Sequence, residues 1–266
     1  MKLYTNFMEE LILPKVVNHP ALKDKPISLF CDISITDRLT LSKNPYNFLF
    51  IYEPNEFFGY HTFAQQHAHL FSAIFTWSKP ILETVPNSYP FYFGAGNIDL
   101  VPRLELHDSK LYEISFLCGN KQVLEGHHLR HRIFNSQKEF EKPTHFIYTS
   151  PWEGGKDRCW NSMFHIAVEN SKHDNYFTEK IIDAFVTKTI PLYWGCPNIR
   201  DFFNLDGIIL FEDEKDLIEK SKMLTPEFYR EREQVMLENR EKALGYVDLM
   251  ERMKNLLIEI CKMNNI

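Results

Sequence analysis

The chain has 266 residues, 44% hydrophobic and 25% charged, which suits one large globular domain or two smaller ones, each with its own core. A formal net charge of −6 excludes a broad electrostatic grip on nucleic acid, while leaving room for a local basic pocket around one anionic ligand. The five cysteines, Cys31, Cys118, Cys159, Cys196 and Cys261, stand apart without a C-x-x-C pair, which excludes a disulfide frame or a zinc site and points to a reducing compartment.

From the N-terminus, "MKLYTNFMEELILPKVVNHP" places Glu9 and Glu10 where a signal peptide would be apolar. No apolar run approaches the ~20 residues of a membrane span. A soluble, cytoplasmic protein without a transmembrane segment is expected. "ISLFC" (27–31), "NFLFIYE" (47–53) and "FSAIFTW" (71–77) read as buried strands, short, rich in Ile and Phe, and bounded by turn residues. "PNEFFGYHTFAQQHAHL" between the last two reads as a loop and a helix. This βαβ rhythm predicts a parallel sheet covered on both faces. Residues 100–110 turn polar and unpatterned, a candidate linker.

The rhythm then restarts. Strands are expected at 112–120, 144–150 and 164–170, with a helix through "HHLRHRIFNSQKEF". A helix at 178–188 follows, then strands at 190–195 and 207–213, and the last fifty residues read as helix. There Tyr246, Leu249, Met250, Met253, Leu256, Leu257 and Ile260 keep helical spacing, a stripe that fits core packing against the N-terminal domain. Its charges mix both signs, unlike those of a membrane-surface helix.

Between two strand-like pieces, Phe164 to Ile199, lies a run of polar residues: Glu169, Asn170, Tyr176, Thr178, Glu179 and Lys180. Thr178 is placed as the N-cap of the following helix, and Ile181, Ile182 and Phe185 as its inward face. A helix start after a strand and loop offers free backbone N–H groups and the positive end of the dipole to a phosphate, and Lys180 adds a full charge. Taken singly, each residue has an ordinary structural reading: a first-turn Glu, a solvated Lys, an Asn–Ser turn. Together, at the carboxyl end of a parallel strand, they supply a carboxylate for a ribose diol, an aromatic for a base and a cation for a phosphate. That set suggests a nucleotide.

The stretch "FHIAVENSKHDNYFTEKIIDAF" followed by "TIPLYWG" resembles the donor-binding motif of glycosyltransferase family 10, the α1,3/α1,4-fucosyltransferases: E-N-S, a spacer, Y-x-T-E-K, a helix and a P-x-x-x-G strand. "SFLCGNKQVLEGHHLRHRIF" (115–134) and "FLFIYEPNEFF" extend the resemblance upstream. It implies a GT-B α/β fold of two Rossmann-like βαβ domains facing a cleft, with the C-terminal helix closing back. The domains are expected at 1–107, on the acceptor side, and 108–266, holding the donor together with the terminal helix. It further implies that Glu179 binds the ribose of GDP-fucose, that Lys180 and Arg130 hold the phosphates, that Asn170 and Tyr176 shape the nucleotide pocket, and that Glu53 is the catalytic base. Glu56 is its neighbour and rival.

The function implied is inverting transfer of fucose from GDP-fucose to a glycan hydroxyl. The alternatives are a GT-B transferase using another GDP-sugar, or a nucleotide-sugar-binding protein without turnover. Transfer needs a carboxylate to take the acceptor proton and fixed cations to meet the charge growing on the diphosphate. No D-x-D metal handle occurs, so no metal and no cofactor is expected; Arg130, Lys180 and the helix start at Thr178 carry that charge. Other features have bland readings. "GAGNID" (94–99) is a turn, "EGGKD" (153–157) a loop, and His67, His69, His127, His128 and His131 are solvated or core side chains lacking metal-ligand spacing.

Overall fold

The computed structural model describes residues 1–5, 9–32, 44–96, 110–149 and 156–266. The expected linker except its last residue, the boundary at 107/108, and parts of 94–99 and 153–157 lie outside the described residues. In chain order the strands are β1 (Lys2–Thr5), β2 (Ile27–Cys31), β3 (Tyr46–Ile51), β4 (Ala73–Thr76), β5 (Ser88–Pro90), β6 (Tyr112–Gly119), β7 (Thr144–Thr149), β8 (Ser162–Val168), β9 (Ile190–Trp194) and β10 (Ile209–Leu210). The α-helices are α1 (Glu9–Ile12), α2 (Asn55–Phe58), α3 (Tyr60–Gln66), α4 (Lys79–Thr84), α5 (Glu125–Asn135), α6 (Glu179–Val186), α7 (Glu214–Ser221), α8 (Pro226–Arg230), α9 (Glu233–Leu244) and α10 (Leu249–Met263). Among the described residues no helix is long and apolar enough to cross a membrane.

Residue contacts divide the chain into two units, Met1–Phe93 with Asp248–Ile266, and Gly94–Val247. The first holds a sheet of order β1-β2-β3-β4-β5, every pair parallel. Because side chains alternate across a strand, its two faces separate cleanly. Leu49, Ile51 and Ile74 pack with Tyr60, Ala64 and Ile81 of α3 and α4. On the other face Phe48, Phe50, Tyr52, Phe75 and Phe91 form an aromatic layer, Phe50 lying 4.6 Å from Phe75 and 5.1 Å from Phe91 by ring centres. Helix α10 meets that layer. The Tyr52 hydroxyl lies 3.8 Å from Met253 Sδ, Arg252 stacks over Phe91 at 5.2 Å, and Arg252 Nη1 donates to the Tyr92 carbonyl at 3.0 Å.

The terminal helix therefore counts with the first unit by contact, whereas the sequence assigned its residues to the second domain. The apolar stripe explains the difference: Leu249, Met250, Met253 and Leu257 are buried, and the aromatic layer of the first sheet provides the matching surface. Tyr246, read as the start of that stripe, precedes the helix and packs on Phe177 and Phe203 of the second unit.

The second sheet, again wholly parallel, runs β10-β9-β8-β6-β7. Its core joins Ile114 and Phe116 of β6, Leu129 and Ile133 of α5, Phe164, Ile166 and Val168 of β8, and Ile190 and Leu192 of β9. The chain leaves β6 to form β7 on one side and then returns to form β8 on the other. The order thus reverses at β6/β8, and in open α/β sheets ligands bind outside the carboxyl ends of the strands at such a reversal.

Candidate functional site

The polar run identified in the sequence sits at that reversal, in the loop from β8 to α6. Its centre is Glu169, which follows the last residue of β8 and is 0% exposed. Thr178 donates twice to it, from its backbone N–H to Oε1 at 2.9 Å and from its hydroxyl to Oε2 at 2.7 Å. The Tyr193 hydroxyl lies 3.4 Å from Oε1 and the Lys180 ammonium 3.6 Å from Oε2. Burial pushes the Glu169 carboxyl above its ordinary range, opposed by the Lys180 charge and the Thr178 hydrogen bonds. Thr178 is the N-cap of α6, its Oγ1 accepting from the Lys180 backbone N–H, as its residue type predicts. Ile181, Ile182 and Phe185 are buried beneath, as the helical spacing required.

Lys180 and Glu179 form the first turn of α6. The ammonium donates to Thr178 Oγ1 at 3.0 Å and to Glu179 Oε1 at 3.2 Å, and its side chain keeps 21% of its surface exposed. It is thus held by three oxygens at a helix N-terminus without being buried, so an anionic ligand can still approach it. The loop leading to this point is clipped by a reciprocal amide pair. Asn198 Oδ1 accepts from the Asn175 backbone N–H at 2.7 Å, and Asn198 Nδ2 donates to Asn175 Oδ1 at 2.9 Å. Asn175 has φ of +67°, a left-handed conformation that Asn tolerates better than most residues. Tyr176 is 1% exposed, with its ring 6.5 Å from that of His173. A ring so buried presents no open face to a base.

Helix α5 comes to the same point from β6. A Cβ on Gly126 would lie 1.8 Å from the Glu169 carbonyl oxygen, and the Gly126 N–H donates to the Asn170 carbonyl at 2.9 Å. Only glycine admits this approach. One turn further, Arg130 donates through Nε and Nη2 to the Val168 carbonyl at 3.0 and 2.7 Å, and through Nη2 to Asn170 Oδ1 at 2.8 Å. Half of the guanidinium fork therefore clamps the strand end. Nη1 has no hydrogen-bond partner among the described residues. Burial lowers the Arg130 pKa from its ordinary value, against the pull of the Glu169 and Glu179 carboxylates. Gly195 closes the far side, where a Cβ would meet Glu169 Cγ at 2.4 Å.

The structure thus brings Arg130, Asn170, Glu179 and Lys180 together around the carboxyl end of β8, with Tyr176 buried beside them. Glu53 belongs to the first unit, just past β3. Its N–H donates to Asp32 Oδ2 at 2.9 Å, beside a Tyr52 N–H that donates to Oδ1, also at 2.9 Å. Its carbonyl accepts from His61 Nε2 at 2.9 Å, while His61 Nδ1 pairs with the Ser78 hydroxyl at 3.0 Å. Glu53 is half-buried, and Glu56, on α2, is exposed. Glu169 was read from the sequence as part of the polar run but given no role of its own, and Gly126 was not singled out, although an EG pair opening a helix was a visible signal. Asp32 had none, since it only ends a strand. Among the described residues no three His, Cys, Asp or Glu side chains gather into a metal-holding group.

Residues 151–228 match the model of the C-terminal part of glycosyltransferase family 10 (fucosyltransferase). The alpha-(1,3)-fucosyltransferase FucT of Helicobacter pylori is 41% identical over 56 residues, a match that takes in 21% of this chain and 12% of that protein's length. A solved α1,3-fucosyltransferase aligns with a TM-score of 0.57 at 16% identity, covering 90% of this chain and 82% of the other. An α1,3-fucosyltransferase solved with GDP-fucose gives 0.56 at 16% identity, over 90% and 81% of the two chains. TarM gives 0.51 at 12% identity, over 88% of this chain and 55% of its own. At these identities the likeness is one of fold, the α/β GT-B class with two parallel sheets. The motif resemblance and the family model coincide: residues 151–228, which carry Glu169 through Lys180, are similar to the C-terminal part of glycosyltransferase family 10.

Proposed function

We propose that this chain is a fucosyltransferase that moves fucose from GDP-fucose to a glycan hydroxyl with inversion, of the α1,3 type. The observation that carries this reading is the convergence of Lys180, Arg130 and the first turns of α5 and α6 at the β6/β8 reversal. Two helix N-termini and two cations fit a diphosphate. The fucosyltransferase relatives support the choice of donor. Glu179, in the first turn of α6, is the acceptor for the ribose hydroxyls. The acceptor hydroxyl gives its proton to Glu53 as its oxygen bonds to the anomeric carbon. The bond from that carbon to the GDP oxygen breaks on the opposite face. The electron pair leaves with GDP, whose charge is met by Lys180, Nη1 of Arg130 and the helix N–H groups, with no metal required.

Calorimetry with GDP, GDP-fucose, GDP-mannose and UDP-sugars, each with and without EDTA, tests this. GDP and GDP-fucose are expected to bind in the presence of EDTA, and Lys180→Ala and Glu179→Ala each to weaken GDP, the lysine by about 1.5–3 kcal/mol as a charge-assisted contact. Preference for UDP, or a strict need for a divalent cation, refutes the assignment. GDP-fucose binding without any transfer or donor hydrolysis would leave a binding protein.

A further inference from the structure

The histidine beside Gly126 has a role that the donor constellation does not yet include. His127 lies in the first turn of α5 and is 2% exposed. Its Nδ1 accepts the Leu124 backbone N–H at 3.0 Å, closing the start of the helix. In the neutral ring the proton then resides on Nε2, because a nitrogen that accepts cannot also carry the hydrogen. Nε2 has no hydrogen-bond partner among the described residues.

The setting of this N–H is cationic. Charges reach the ring from three elements: Lys121 in the loop after β6, His128 and Arg130 on its own helix, and Lys180 on α6. Burial, reinforced by these charges, lowers the His127 pKa to about 4, so the ring is neutral at physiological pH. Gly126 holds the turn that bears it against Glu169 and Asn170, so the ring belongs to the same strand ends as Lys180. A further cation here would be repelled by these charges. A neutral N–H supplies another donor to an anion without that cost.

We propose that His127 is a diphosphate-binding residue, its Nε2–H donating to a phosphate oxygen of the bound nucleotide beside Lys180. This rests on the GDP-sugar reading of the site and adds to it a residue that the motif does not contain. The negative charge of a bound diphosphate also raises the ring's affinity for a proton, so binding is accompanied by an upward move of its titration.

The test uses GDP and guanosine as probes on the full chain. His127→Asn keeps an acceptor near the position of Nδ1 for the Leu124 N–H and removes the Nε2 donor. GDP affinity is expected to fall by about tenfold or more, as for a hydrogen bond to a charged group. Guanosine affinity and the melting temperature should stay as in wild type. In wild type, the Nε2 resonance of His127 in 15N spectra should shift on adding GDP and not on adding guanosine. Unchanged GDP affinity in His127→Asn overturns the proposal while leaving the GDP-sugar reading in place. Failure of wild type to bind GDP removes both. If the variant does not fold, the spectrum decides, and an Nε2 resonance unmoved by GDP overturns the assignment.

Discussion

Gly126→Ala is the sharpest probe of how the two helix starts are brought together. The added methyl would fall 1.8 Å from the Glu169 carbonyl oxygen and 2.9 Å from that of Asn170, both of them backbone atoms at the end of a central strand. Ordinary contact begins near 3.4 Å, so the first turn of α5 must withdraw by about 1.5 Å. That movement breaks the 2.9 Å bond from the Gly126 N–H to Asn170 and loosens the grip of Arg130 on Val168 and Asn170. Overpacking costs about 1–3 kcal/mol and the hydrogen bond about 1 kcal/mol, offset by up to ~1 kcal/mol from replacing a helical glycine. The net loss of about 1–4 kcal/mol lowers the melting temperature, by about 2–4 °C per kcal/mol for a unit of this size. GDP affinity falls as well, because Arg130 moves with the turn. Gly119→Ala is the control, since a Cβ there meets nothing within 4 Å. Equal melting temperatures for the two variants, with wild-type GDP affinity in both, would refute the close approach and its part in the site.

Glu53→Gln is expected to leave GDP affinity unchanged while transfer, or donor hydrolysis, drops by about 10²–10⁴-fold, the usual worth of a positioned base. Glu56→Gln should be mild, and the reverse pattern would move the base to the exposed neighbour. Stability should also depend on pH through Asp32. Burial, and then the Glu53 charge, push its carboxyl from 3.8 up to about 8, despite the two backbone N–H bonds that favour the anion. The folded state therefore holds a proton that the unfolded chain releases. This contribution is complete below about pH 4 and is lost as pH rises through about 8. Between pH 6 and 9 the melting temperature of wild type should fall more steeply than that of Asp32→Asn, and parallel profiles would exclude the buried acid.

What could be read in the sequence follows from how completely a segment is buried. β2 is the segment "ISLFC" itself, all five residues buried, and β8, β9 and α6 fall within two residues of their expected bounds. β1 and β5 were not legible. Each is an edge strand, and "KLYT" and "SYP" lack the apolar run that only a strand covered on both sides requires. β10 shrinks to two residues for the same reason. In the site, charges at a helix start were legible because residue type and position suffice. Tyr176 was read as an aromatic for the base, but its depth depends on the fold of the whole loop. Glu169 stood in view, yet a residue that is 0% exposed and bonded to a helix cap cannot be distinguished by composition from one at the surface.

Helix α10 also fixes an order of events during synthesis. The first unit is interrupted in sequence by the whole of the second, Gly94–Val247. At ribosomal rates of about 5–20 residues per second, its sheet waits on the order of ten seconds between the emergence of β5 and that of α10. Through that interval Tyr52 and Phe91 lack their contacts with Met253 and Arg252, and the aromatic layer is without the helix that packs on it. The continuous second unit meanwhile has every residue it needs. The nascent chain therefore carries a sticky aromatic surface on its first sheet until α10 has emerged, and a stop codon early in α10 would damage a sheet synthesised long before it.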